Sequence, residues 1–249
     1  MSDKKTRSDI IISSAILGAV TLALIFLAAY IFYCSGLVVP NEPKHYHVRG
    51  IDVSSDQGKI NWELISENID FAYIKATDGS QGIDTQFSYN YSNVSQTDMR
   101  AGYYHFFRFD NSGEVQAQNY IMNVPLTDNM LPPAIDIEFY DSWESNPPPR
   151  SIINDELDIM IEKLESVYNM KPIICATKKS YDLNISGSYQ DFCIWIRDTM
   201  SEPQLSDGHE WTFWQYNSRG KMDGYDGANE FIDLNVFFGT KNQFNNFPS

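Results

Sequence analysis

Basic residues are scarce in this 249-residue chain: 18 Lys and Arg stand against 33 Asp and Glu. Only Lys4, Lys5 and Arg7, with Asp3 and Asp9, precede Pro40, so the remainder carries 15 basic against 31 acidic side chains, a net −16. A surface of that sign repels a polyphosphate backbone, which excludes nucleic acid as a partner. Cysteine is also sparse. The three thiols, Cys34, Cys175 and Cys193, are too few for a disulfide framework. Cys175 and Cys193 fall in apolar runs that read as strands, where a mutual bridge outside the cell and a pair of buried free thiols both fit. No His, Cys and Asp cluster has metal-ligand spacing and no Gly-rich phosphate loop occurs, so no metal and no other cofactor is expected.

Charge is missing altogether between Ile10 and Asn41, and Ile10 to Tyr33 is almost continuously apolar. Such a run is long enough to cross a hydrocarbon layer of roughly 30 Å and longer than the ~7–15 apolar residues of a cleavable signal peptide. Ala28-Ala29-Tyr30 is a poor cleavage site. The expectation is an uncleaved signal anchor over residues 10–33, with residues 1–9 cytoplasmic because of Lys4, Lys5 and Arg7. Cleavage would yield a secreted form instead. Residues 34–48, with Pro40 and Pro43, read as a linker, and 49–249 as one catalytic domain.

What is present in abundance is carboxylate at strand positions. Pro132-Pro133-Ala134-Ile135-Asp136-Ile137-Glu138 sets two acids two residues apart, and side chains at i and i+2 of a strand share a face. Forced together, two such groups separate in proton affinity, which supplies a proton donor and a charge stabiliser for glycosidic cleavage. Short apolar runs recur at 49–53, 71–76, 101–107, 134–138, 172–177, 192–196, 212–216 and 231–236. Ile153, Leu157, Met160, Ile161, Leu164, Val167 and Tyr168 follow helical spacing, as do Val115, Ala117, Tyr120 and Ile121. Alternating strands and helices imply parallel strands and a barrel related to the (β/α)8 form, irregular because 208–225 reads as loop and hairpin. Closing the barrel makes strands one and eight neighbours, so Asp52, Asp136, Glu138 and Asp233 converge at one end. His105, flanked by Tyr104 and Phe106, is expected to be a hydrogen-bonded structural histidine.

From Arg49 onward the chain resembles the glycoside hydrolase family 25 muramidases, the lysozymes of Chalaropsis and Cellosyl type. The resemblance rests on Gly50-Ile51-Asp52-Val53-Ser54, on Phe71 through Thr77, and on Gly102-Tyr103-Tyr104-His105-Phe106. It continues through Pro133 to Glu138, Trp214-Gln215-Tyr216, Ile232-Asp233-Leu234-Asn235 and Phe238-Gly239-Thr240. It implies a flattened β/α barrel that hydrolyses the β-1,4 bond between N-acetylmuramic acid and N-acetylglucosamine in peptidoglycan. Glu138 matches the family's general acid, and Asp136 would assist beside it, with the substrate's own acetamido group acting as nucleophile. Asp52 and Asp233 match the remaining acids and would raise the proton affinity of Glu138 by repulsion. Tyr104, Trp214, Lys75, Gln215 and Asp78 are the expected substrate contacts.

Two departures stand out. Asp78 replaces the Glu common in the family, and Ile196, Arg197 and Asp198 replace an Ala and Tyr after the Trp of the sixth strand, at positions expected on the cleft rim rather than on the catalytic pair. A glycan-binding domain that has lost turnover is the alternative, which the intact Asp136 and Glu138 oppose. A chitinase is disfavoured because its longer D-x-x-D-x-D-x-E pattern is absent. With an anchor and a short linker, the expected target is wall glycan outside the cell and near the membrane.

Overall fold

A computed structural model describes residues 2–35 and 42–248. Residues 36–41, part of the expected linker, lie outside the described residues. The chain divides into two units, Met1–Pro40 and Asn41–Ser249.

The first unit is a helix, α1 (Ser2–Cys34). Its segment Ile12–Phe32 has 21 residues with a mean hydropathy of 2.5, none of them buried by protein, and is long and apolar enough to cross a membrane. At 1.5 Å per residue it spans about 31 Å. The hydroxyl of Thr21 is satisfied within the helix, donating to the Leu17 carbonyl at 2.8 Å.

The second unit is a closed barrel. In chain order its strands are β1 (Arg49–Val53), β2 (Phe71–Asp78), β3 (Gly82–Ile83), β4 (Arg100–Phe106), β5 (Ala134–Ile137), β6 (Ile173–Thr177), β7 (Ile194–Arg197), β8 (Phe213–Gly220) and β9 (Ile232–Phe237). β3 is a short hairpin on the end of β2; the other eight are the strands expected from the apolar runs. They follow one another as β1-β9-β8-β7-β6-β5-β4-β2, and β2 returns to β1. Parallel pairing holds from β1 through β2 to β8. β9 departs from the parallel expectation: it runs antiparallel to both β8 and β1. The physical reason is the connection. Residues 221–231 form no helix, and a parallel return needs a crossover of a dozen or more residues, so the chain doubles straight back. The hairpin therefore turns beyond Gly220, later than the 208–225 segment suggested.

The barrel interior is divided by height. Its lower layer is apolar, with Val48, Phe71, Tyr73, Ala134, Trp195 and Phe213 among the buried residues. Gly50 and Gly102 make room for it, since a Cβ on either would fall inside the ring of Phe71 or Tyr73 respectively. Outside, α2 (Gly113–Asn123) and α3 (Arg150–Tyr168) cover the sheet. α3 buries Ile153, Leu157, Met160, Ile161, Leu164 and Tyr168 as its spacing requires, while Val167 is exposed. α3 ends at Asn169, whose left-handed φ of 53° closes the last turn. Val48 is fully buried, and Tyr46 packs edge-on against Trp211 at 5.1 Å, so the last residues of the expected linker belong to the barrel's own packing. Cys175 and Cys193 are free thiols, which decides between the two alternatives left open by the sequence.

Candidate active site

The upper layer of the interior is polar because the same inward-facing rows continue past the apolar floor. On β5, Ala134 belongs to the floor, Asp136 stands above it, and Glu138 lies just beyond the strand end. On β1, Asp52 follows Gly50 by two. On β9 the antiparallel direction puts Asp233 near the strand's beginning, opposite Asp52 in register. All four acids line one cavity of about 220 Å³, together with Lys75, Tyr104, Arg197 and Gln215. The convergence expected for Asp52, Asp136, Glu138 and Asp233 is met, and it lies where the parallel strands end.

Each acid is held differently. Asp52 Oδ2 accepts from Asn235 Nδ2 at 2.7 Å and Gln215 Nε2 at 3.1 Å. Asn235 is in turn fixed by the indole of Trp195, which donates to its Oδ1 at 2.8 Å; an indole only donates, so the amide of Asn235 must face Asp52. Burial first and the neighbouring Asp233 next push the Asp52 carboxyl well above the ordinary range. Asp233 is lifted by burial to about 6, against the Arg197 charge. Asp136 is raised by burial and then by Glu138, and its buried Oδ1 has no hydrogen-bond partner among the described residues. Glu138 is raised by burial, and the Arg197 guanidinium, donating to Oε2 at 3.1 Å, opposes that rise. This corrects the sequence expectation twice. Burial, not repulsion from Asp52 and Asp233, leads the rise at Glu138, and Arg197 lies on Glu138 in the cavity rather than at the rim.

Among the expected substrate contacts, Lys75, Tyr104 and Gln215 line the cavity. Tyr104 stays a neutral phenol, raised by burial and then by Asp52 and Asp136. Trp214 does not line it. β8 alternates, so with Phe213 in the floor and Gln215 on Asp52, Trp214 points outward, buried against Trp211 and Tyr216 and donating to the Asp198 carbonyl at 2.7 Å. Asp78 lines a neighbouring groove of about 620 Å³ with Arg108, Tyr140 and Trp143. Its carboxylate is taken by Lys75 at 2.9 Å and Arg108 at 2.5 Å, which hold it below the ordinary range despite burial. A larger groove of about 830 Å³, between Lys59, Trp62, Tyr89 and Tyr225, contains none of the four acids.

His105 is structural, as expected. It faces outward between Thr77 Oγ1 at 2.7 Å and Gln116 Oε1 at 3.0 Å, and burial lowers it to about 4, so it is neutral at pH 7. Arg197 and Asn235 are the site residues that sequence reasoning left without a role. The signal for both was parity: each stands two residues beyond or after an inward-facing neighbour, Trp195 and Asp233 respectively.

Residues 51–225 match the model of the glycosyl hydrolases family 25. Lysozyme M1 of Streptomyces globisporus is 32% identical over 209 residues, covering 78% of this chain and 68% of the relative. A solved family 25 glycosyl hydrolase from Bacillus anthracis is 47% identical with a TM-score of 0.80, covering 84% of this chain and 97% of that one. The lysozyme of Streptomyces coelicolor, at 28% identity, superimposes with a TM-score of 0.71 over 81% of this chain and 96% of its own. With its barrel, its four converging acids and a match over more than half its length, the chain belongs to the glycosyl hydrolases family 25.

Proposed function

We propose that this glycoside hydrolase is an N-acetylmuramidase, cleaving the β-1,4 bond between N-acetylmuramic acid and N-acetylglucosamine. The observation that carries the reading is the pairing of Asp136 and Glu138 on one inward face, in a buried acidic cavity whose environment raises both. Glu138, its proton retained by burial, protonates the leaving glycosidic oxygen. The acetamido oxygen of the substrate attacks the anomeric carbon as that bond breaks. Asp136, with an unpartnered Oδ1 inside the cavity, accepts from the acetamido N–H and so orients that group for its attack. Water then attacks the anomeric carbon, breaking its bond to the acetamido oxygen and restoring the acetamido group, while Glu138, now ionised, takes the water's proton. Asp52 and Asp233 line the cavity above the apolar floor, and Lys75, Tyr104 and Gln215 contact the sugar. Asp78 acts on the groove alongside.

Residues 10–33 hold the enzyme in the membrane with the N-terminus cytoplasmic and the barrel outside, where peptidoglycan strands lie. The test is digestion of purified peptidoglycan by the full chain in detergent micelles, with the new reducing ends identified. N-acetylmuramic acid ends are expected. N-acetylglucosamine ends would contradict the bond assignment, and binding without release would favour a catalytically weak glycan-binding domain.

A further inference from the structure

β7 ends in Ile194-Trp195-Ile196-Arg197, and the alternation that sends Trp195 into the floor sends Arg197 the same way, one step nearer the mouth. Its Nη1 donates to Glu138 Oε2 at 3.1 Å, with 39% of the Arg197 side chain exposed and 19% of Glu138. The guanidinium also faces Asp233, Asp52 and Asp136, so one side chain from β7 addresses acids on β5, β1 and β9. An isolated surface pair of this kind would be worth little, but here the cation is set among four half-buried or buried acids.

We propose that Arg197 is a positioning residue for the reaction: by holding Oε2 of Glu138 it directs Oε1 to the glycosidic oxygen and keeps the four-acid cluster together. The proposal rests on the muramidase reading and assigns the general acid its orienting partner. A planar fork suits the task, because it fixes a carboxylate in direction as well as distance, which an ammonium does not.

The charges around Glu138 give the role a signature. Asp136 stands beside it on β5, Arg197 reaches it from β7, Asp233 faces it from β9, and Glu144 lies on the turn after β5. Lys75 of β2 faces Asp136, and the Cys175 thiol of β6 lies below, itself raised by burial and then by Asp136 and Glu138. Burial favours the protonated form of Glu138 and Arg197 favours the ionised one. Removing the guanidinium therefore lets Glu138 keep its proton to higher pH.

The experiment compares the full chain in detergent micelles with Arg197→Gln and Arg197→Lys on solubilised peptidoglycan fragments, reading kcat, KM and the pH profile of kcat/KM. In R197Q, kcat is expected to fall about ten- to a hundredfold with KM nearly unchanged, as for a misaimed acid, and the alkaline limb to move to higher pH. R197K keeps the charge, so its limb should stay near that of the parent while kcat still falls. Parent-like kcat and limb in R197Q would overturn the proposal, as would a loss confined to KM, which would make Arg197 a substrate contact. If R197Q fails to fold by circular dichroism, R197K decides alone: lowered kcat with parental KM supports the role, parental kcat refutes it. An inactive parent would instead defeat the muramidase reading itself.

Discussion

Four carboxyl groups share one cavity, and burial lifts the proton affinity of every one. Asp233 shows what this costs: its affinity moves from 3.8 to about 6 on folding. Below pH 3.8 it is protonated in folded and unfolded chains alike, and its contribution to stability is fully present. As pH rises through about 6 the folded protein must ionise a buried acid, and that stability is lost. Asp207 has the opposite sign. The backbone N–H groups of Gly187 and His209 hold it low against the burial penalty, so its contribution is lost as pH falls below the ordinary carboxylate range. Thermal melting should therefore be highest near pH 4–5 and lower at pH 7.5. Asp233→Asn should flatten the decline and stabilise the chain at neutral pH by on the order of 3 kcal/mol, while lowering activity; a melting curve unchanged at pH 7.5 would contradict the assignment. Asp136→Asn, which exchanges one acceptor oxygen for an amide, is expected to reduce kcat about tenfold or more with little change in KM, read from initial rates on the same fragments. The acids themselves were legible in the sequence because each sits in an apolar strand context. Arg197 was not: parity puts it on the same face as Trp195, but an aromatic and a cation on one face do not by themselves say that the face is the interior. Trp214 was misplaced for a related reason, since an aromatic in a strand reads equally well on either face until the strand's parity is fixed by a neighbour such as Gln215.

At the scale of elements, the eight apolar runs became the eight barrel strands, with ends displaced by a few residues at most. Strand existence was legible because each run is short, apolar and bounded by polar or Pro-containing segments. Direction was not, because an apolar run carries no sign of parallel or antiparallel pairing. β9 reverses only because the eleven or so residues before it contain no helix former strong enough to cross over. That reversal has a chemical consequence. It brings Asp233 to the cavity end of its strand from the second position rather than the last, so the cavity's fourth acid is supplied by a strand's beginning. The floor of the barrel is equally demanding of sequence. Gly102→Ala would set a methyl group inside the Tyr73 ring, which stacks on Trp195 at 4.8 Å and donates to the Pro132 carbonyl at 3.2 Å. The expected result is a loss of stability of about 1–3 kcal/mol, measured by denaturant unfolding, with activity falling because Trp195 also fixes Asn235 and through it Asp52. An unchanged midpoint would show that the ring moves aside without cost.

For the whole molecule, the chain enters the barrel through Val48 in the apolar floor, at the pole opposite the acids. Deleting residues 1–35 should move activity from the membrane to the soluble fraction without reducing turnover on isolated peptidoglycan, checked by fractionation and reducing-end assays; a comparable fall in turnover would mean that the helix contributes to catalysis. The domain's net −16 should slow its approach to anionic wall polymers, an effect that salt would relieve by screening over about 10 Å. The most direct measurement replaces one atom in the central carboxyl group. Full chain and Glu138→Gln are compared for release of muropeptides from purified peptidoglycan. A loss of roughly a hundredfold or more in the variant, with retained binding to the wall and an unchanged melting temperature or a raised one, is the expected result. Parental release by Glu138→Gln would contradict the assignment of Glu138 as the acid on which the chemistry depends.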